Sequence, residues 1–291
     1  MHWLDKRKTV AQLHLEKGFQ KDVHKEFMRE YKATNDMLKA RDAYDELYAY
    51  AQEAHPELYG KEEAKIQKTK AEDLKKVNAY LYDWADKTQP EKLAPAMKPW
   101  IYKAGTMGGQ SALNSMTTGV TFNLRNKQVV GALAKRGTKI TGQVSARTLE
   151  DLRDALYNSY MEVGMSPYDV KKRILGLFEE TYENRAWTIA RTETAVAQSE
   201  VSKQTYVRNG FKKKKWIATI DDRTRYSHRH VTKKPIPFDE PFILTDEYGN
   251  TTEMQWAHEI GAPAREVINC RCSTVGVANL SEDYEPTWTG Q

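Results

Sequence analysis

The stretch from Asn184 to Ile220, NRAWTIARTETAVAQSEVSKQTYVRNGFKKKKWIATI, decides the fold class. From Asn184 to about Asn209 it reads as one helix, and Gly210 ends that helix as a C-cap. The basic run Lys212-Lys213-Lys214-Lys215 follows, and Trp216-Ile217-Ala218-Thr219-Ile220 then reads as a strand. A helix passing within a few residues into a strand marks an α+β chain.

Upstream, helices dominate. Ser166-Pro167 is a helix start, with Ser as N-cap and Pro at the first helical position, and Val170, Ile174, Leu177 and Phe178 face inward. Before it, Leu149, Leu152, Leu156 and Tyr160 mark an amphipathic helix ending at Gly164. In the first hundred residues Phe19, Val23, Phe27 and Tyr31 recur every four positions, and Tyr44, Leu47, Tyr48 and Ala51 continue an apolar stripe. His55-Pro56 and Gly60 interrupt it. A second helix carries Ile66, Leu74, Val77, Leu81 and Trp84 on one face, closed by Thr88-Gln89-Pro90. These stripes predict an antiparallel helical arm. Gly105, Gly108, Gly109, Gly119, Gly131, Gly137 and Gly142 predict a connector with short helices rather than a continuous rod.

Downstream, Pro235, Pro237 and Pro241 mark an extended, loop-rich region. Cys270 to Val277 reads as a last strand and Ser281 onward as a tail. The expected organisation is a helical N-terminal arm over 1–100, a glycine-rich connector over 101–145, a compact domain of three helices and a small sheet over 146–280, and a tail over 281–291. The fold class is α+β, mostly α.

The 291 residues suffice for two domains, with 40% hydrophobic and 29% charged residues. No apolar run is long enough to span a membrane, and Met1–Lys6 lacks the apolar core of a secretory signal. Two cysteines rule out a disulfide framework, and their one-residue spacing argues against a bridge between them. The expectation is a chain made in the cytoplasm. Net charge is +5; residues 1–145 hold 25 Lys/Arg against 18 Asp/Glu (+7), and 146–291 hold 20 against 22 (−2). This balance permits contact with an anionic partner such as DNA, and equally a solvated surface of long helices.

Chemistry-bearing residues gather in Ala190-Arg191-Thr192-Glu193-Thr194, in Asp221-Asp222-Arg223-Thr224-Arg225 with His228, and in Asn269-Cys270-Arg271-Cys272. The planar fork of arginine is satisfied bidentately by carboxylates, so these segments predict a polar network joining three elements. The expected pairs are Arg191 with Asp222, and Glu193 with Arg223 or Arg271. The Lys212–Lys215 run reads either as a solvated strand entry protecting a sheet edge or as a non-specific DNA contact. Trp216 reads as a core anchor.

The same three motifs, with Phe122-Asn123-Leu124 ahead of them, resemble the phage Mu F-like minor head proteins, also called head morphogenesis proteins, over about residues 122–278. The resemblance implies a tailed-phage virion component acting in head morphogenesis at the portal vertex, inside the head and in the host cytoplasm during assembly. It implies a portal protein as partner, with scaffold or major capsid protein and DNA as further candidates, and no membrane.

Zinc takes thiolate and imidazole ligands, so Cys270, Cys272 and His228 supply three, with His230 or His258 as a fourth. Many family members resemble a fuller version, with Cys-x-x-Cys after the Asp-Arg-Thr and a His before Cys-Arg-Cys. Here Arg225, His228 and Val267-Ile268 stand at those places. Two reduced cysteines packed on a strand are the other reading.

Enzymatic readings are the alternatives. His258-Glu259 lacks the second histidine of a metalloprotease helix because Ala262 stands there. Asp221, Asp222, His228 and His230 are the pieces of a metal-dependent nuclease, although Asp-Asp-Arg-Thr is also an ordinary turn. Arg191, Ser273-Thr274 and Glu285 resemble the arginine, serine and glutamate of ADP-ribosyltransferases, but Arg191 falls mid-helix. The expectation is a structural protein without a catalytic site.

Overall fold

The computed structural model describes residues 9–60, 69–116, 122 and 127–277. The readings placed on Met1–Lys6, Ile66, Gly119, Asn123-Leu124, Glu285 and the tail lie outside them. The architecture is α+β and mostly helical, with a small antiparallel sheet. The chain forms two compact units that interleave in sequence. One takes the residues up to Pro99 with Lys135–Ala190; the other takes Trp100–Ala134 with the residues from Arg191 on.

In the first unit, Thr9 caps α1 (Val10–Ala40) by accepting the amide of Gln12. The four-residue repeat puts Phe19, Val23 and Phe27 on a fully buried face. Helix α2 (Ala43–Ala54) buries Leu47 and Ala51 beside it. A capping box of Thr69 and Glu72 starts α3 (Lys70–Leu81). Trp84 is not on that helix: the chain breaks at Tyr82-Asp83, and α4 (Trp84–Thr88) turns the indole to donate to Thr34 Oγ1 at 3.0 Å.

The N-terminal helices are not free-standing within this unit. Phe27 packs on Tyr182 at 4.9 Å between ring centroids, and the Tyr160 hydroxyl donates to the carbonyl of Tyr44 at 2.9 Å. Ser166 caps α7 (Pro167–Gly176), with Pro167 at its first position, as the sequence predicts.

The glycine-rich segment departs from expectation. Helices α5 (Leu93–Ser115) and α6 (Lys127–Tyr157) run through it as long helices, and the boundaries between the two units fall inside α5, α6 and α8 (Tyr182–Arg208). The reason is packing rather than turn formation. In the second unit a Cβ on Gly108 would lie 2.3 Å from the backbone oxygen of Gln198, and the Ser202 hydroxyl donates to the Gly108 carbonyl at 2.8 Å. Glycine here lets two helix backbones touch, which offsets its cost in a helix.

Gly210, at φ +76°, closes α8, and the chain enters β1 (Lys213–Ile217) three residues earlier than Trp216. Strand β1 is the middle of a sheet ordered β2-β1-β5, with β2 at Ile236–Pro237 and β5 at Ser273–Val277, all antiparallel. A separate hairpin pairs β3 (Phe242–Thr245) with β4 (Thr251–Met254), its turn held by Asp246, which accepts the amides of Tyr248 and Asn250. Trp216, Phe242, Leu244, Met254, Val267, Cys270 and Cys272 share one apolar core, so Trp216 is the anchor expected of it. Among the described residues no helix is long and apolar enough to cross a membrane.

Candidate functional site

Cys270, Arg271 and Cys272 lead straight into β5, preceded by the short helix α10 (Ala264–Val267) and by Asn269 at φ +56°. Residues two apart on extended chain share a face, so the two cysteines turn inward together while Arg271 turns the other way.

On the inner side they meet His228. It sits on the single-turn helix α9 (Tyr226–Arg229), buried, with Trp216 edge-on at 5.4 Å. Its Nδ1 lies 3.4 Å from Cys270 Sγ and 3.4 Å from Cys272 Sγ. Its Nε2 lies 3.0 Å from Glu266 Oε2, which also accepts the Ser227 hydroxyl at 3.1 Å. Arg265 Nε stands 3.3 Å from Glu266 Oε1. A proton on Nε2 satisfies the carboxylate and leaves the Nδ1 lone pair facing both sulfurs. The ligand atoms of His228, Cys270 and Cys272 all fall within 4.8 Å of one another.

Both thiols are free. The hydrogen bond between them holds the Cys272 thiol below its ordinary range and pushes Cys270 up, with burial adding to the rise at Cys270.

Neither expected fourth ligand joins them. His230 is exposed, its ring packed at a tilt on Tyr226 and its Nδ1 2.8 Å from the Tyr226 carbonyl oxygen. His258 is buried beside the cluster, but its Nε2 donates to the Cys272 carbonyl at 2.9 Å. Burial pushes its imidazole down to about 4, so the ring is neutral at pH 7.

On the outer side, Arg271 grips Asp221 bidentately, with both nitrogen–oxygen distances at 2.5 Å. Asp221 also accepts the amide of Arg223 at 3.0 Å, and its own amide donates to Thr224 Oγ1 at 3.0 Å. The Thr219 hydroxyl donates to the Arg271 carbonyl at 2.8 Å, and Arg225 donates to the Ile268 carbonyl at 2.5 Å. From α8, Thr192 Oγ1 accepts the Asn269 amide at 3.1 Å. The three motifs therefore converge, with the Asp221–Arg271 pair and the Thr192–Asn269 bond among the links.

Arg191 does not pair with Asp222. Asp222 is exposed, and Arg191 Nε is buried in α8 without a hydrogen-bond partner among the described residues. Arg223 is exposed and contributes its backbone, while Glu193 is buried in α8. Arg271 pairs with Asp221. The cause is the turn: Asp221 is drawn into it by its bonds to Thr224 and Arg223, which points its carboxylate at Arg271 and leaves Asp222 outside.

The lysine run also divides. Strand alternation leaves Lys213 exposed and turns Lys214 inward, with no solvent exposure. The Lys214 ammonium donates to the carbonyls of Phe238 and Gln255 at 2.9 and 2.8 Å and to Gln255 Oε1 at 2.9 Å, so all three donors are taken and no phosphate can reach it. Burial pushes Lys214 down to about 8. Lys212 is exposed, Lys215 is half-buried, and β1 is a central strand rather than an edge needing protection.

The nuclease constellation does not assemble. Asp221 is committed to Arg271, Asp222 and His230 face solvent, and His228 faces the thiols, so the nuclease pieces share no site. Thr274 Oγ1 accepts the Ala257 amide at 2.9 Å, a structural bond. Sequence reasoning missed Glu266, Thr192 and the inward turn of Lys214. The period-2 reading of a strand starting at Lys213 would have exposed the last; nothing local marks Glu266.

Residues 146–275 match the family described as Phage Mu protein F like protein. An NAD(+)–arginine ADP-ribosyltransferase of Enterococcus faecalis is 31% identical over 163 residues, covering 54% of this chain and 31% of that protein. An uncharacterized protein of Haemophilus influenzae is 25% identical over 178 residues, covering 56% of this chain and 36% of that protein. The chain thus spans about a third of the length of each of these relatives. No solved structure matches.

Proposed function

With residues 146–275 matching a phage Mu F-like protein, a family of phage head proteins, we propose that the chain is a minor head protein acting at the portal vertex by protein–protein contact. The family match carries this reading. It agrees with an architecture in which the motif residues bond to one another and to the backbone. The chain works in the head interior and assembles in the host cytoplasm, with the portal protein as first partner and scaffold or major capsid protein as neighbours. The outward faces of the N-terminal helices are the docking surface, and Lys212 and Lys213 add a non-specific contact to DNA.

The test is co-expression of the full chain with the portal protein of the same phage, followed by affinity capture and sizing. Removing residues 1–100 would strip helices out of the first unit, so Lys75→Glu with Tyr82→Ala on exposed positions is the better control. Capture of portal protein by the full chain, weakened by that pair, supports the reading; no capture overturns it. For DNA, gel retardation at low salt that is lost in Lys212→Glu with Lys213→Glu supports contact, and no retardation removes it.

A second reading, an ADP-ribosyltransferase-like enzyme, is favoured by one relative's name alone. The matched part is under a third of that protein. Incubation with NAD+ and an arginine-bearing acceptor tests it: turnover lost in Arg191→Ala without unfolding would replace the structural reading.

A further inference from the structure

We infer that Cys270, Cys272 and His228 Nδ1 form a zinc site in which Glu266 orients the imidazole and one coordination position is left to water. The first argument is geometric. Zinc holds sulfur at about 2.3 Å and imidazole nitrogen at about 2.0–2.1 Å, so a tetrahedral centre sets each nitrogen–sulfur edge near 3.5 Å. Both observed edges are 3.4 Å. A metal would therefore enter with little movement of its ligands.

The second argument is what stands behind the ligands. Metal-bound histidine almost always gives its other ring N–H to a carboxylate or carbonyl, which fixes the tautomer and makes the ligating nitrogen more basic. His228 Nε2 has that partner in Glu266, a buried carboxylate itself held by Ser227. A merely packed pair of thiols needs neither an imidazole lone pair aimed at both sulfurs nor a buried acid behind the ring.

The third argument is charge. On binding, the two thiols become thiolates and their two protons pass to solvent, so a doubly charged cation leaves a neutral centre inside an apolar core. Two sulfurs and one nitrogen select zinc over magnesium and calcium, which take oxygen ligands. Among the described residues no fourth His, Cys, Asp or Glu joins the group. The centre ties α9 to the segment ahead of β5, on the opposite side of that segment from the Asp221–Arg271 pair.

The proposal is independent of the head-protein reading, because metal content and portal capture are separate measurements. The full chain, purified reduced and without chelator, is assayed for zinc by atomic emission and then stripped and titrated with Co2+. The expected result is one zinc per chain and, with Co2+, visible bands of a tetrahedral centre with thiolate-to-cobalt charge transfer in the near ultraviolet. Cys272→Ser should remove the charge-transfer intensity of one thiolate. Glu266→Gln should keep the spectrum while weakening metal affinity about 10- to 100-fold. The wild-type titration alone decides if a variant fails to fold. No zinc together with no thiolate–cobalt band overturns the site; bound metal without such a band overturns the assignment to these cysteines.

Discussion

Asp221 and Arg271, fifty residues apart, meet as a two-point ion pair that ties the turn after β1 to the strand entering β5. One side of this pair is partly open to water, yet the guanidinium is nearly covered. A paired fork of this geometry is among the stronger polar contacts available to a protein surface. Its Arg271 is also the residue that stands between the two inward thiols, so the turn and the cysteine pair are fixed by one short piece of chain.

The pair makes a pH prediction. The Arg271 hydrogen bonds hold the Asp221 carboxyl well below the usual carboxylate range, so its folded value is depressed. A depressed acid contributes stability above its unfolded value, about 3.9, and loses it as pH falls toward the folded one. Asp221→Asn should therefore lower Tm at pH 7 and approach the wild-type Tm as the pH drops from about 5 to about 2. Thermal melts of both proteins across that range check it; a constant difference would count against the pair.

Glu30 predicts a slope of the opposite sign. It is buried on α1 with neither carboxyl oxygen hydrogen-bonded among the described residues, and burial pushes it up to about 8 against the pull of Arg29. The folded state then holds a proton that the unfolded state releases from about pH 4.5, so stability from this group is complete below that value and falls as pH rises through 8. The loss is on the order of 5 kcal/mol at most. Glu30→Met should erase this part of the slope, and the gap between variant and wild type in urea unfolding should widen from pH 5 to pH 8.

Lys214 separates charge from structure. Lys214→Met leaves the Phe238 and Gln255 carbonyls without their donor and should cost about 2–4 kcal/mol in chemical denaturation. Lys213→Met, one residue away and exposed, should stay within about 0.5 kcal/mol. Equal effects would contradict the inward turn of Lys214.

Two glycines within long helices should respond oppositely to alanine. At Gly108 the new Cβ would press on the Gln198 backbone, so Gly108→Ala should destabilise by about 1–3 kcal/mol despite better helix propensity. At Gly142 on α6 nothing lies within 4 Å of the added carbon, so Gly142→Ala should stabilise by about 0.5–1 kcal/mol. Matched thermal melts distinguish them.

The helices were legible wherever neighbours along the chain decide. The Phe19–Val23–Phe27 stripe, the Ser166-Pro167 start and the Gly210 stop all stand where periodicity and capping put them. The same logic misled at Gly105–Gly109, because a glycine that weakens a helix locally looks identical to one that admits a second helix. The cysteine–histidine grouping was readable as residue types with His228 as its third member, and the choice of a fourth between His230 and His258 was open. His228, His230 and His258 differ in sequence only by position, whereas the fold puts the first among the thiols, leaves the second exposed beside Tyr226 and ties the third to a carbonyl.

By itself, then, the sequence determined the elements and the cast of polar residues, since helix periods, caps and strand alternation depend on energies exchanged within a few positions. Only the tertiary structure decided the partnerships: Asp221 for Arg271, Glu266 behind His228, and carbonyls around Lys214. Those contacts join residues 24 to 50 positions apart, and which atoms meet there depends on how the turn, the strand register and the core settle together.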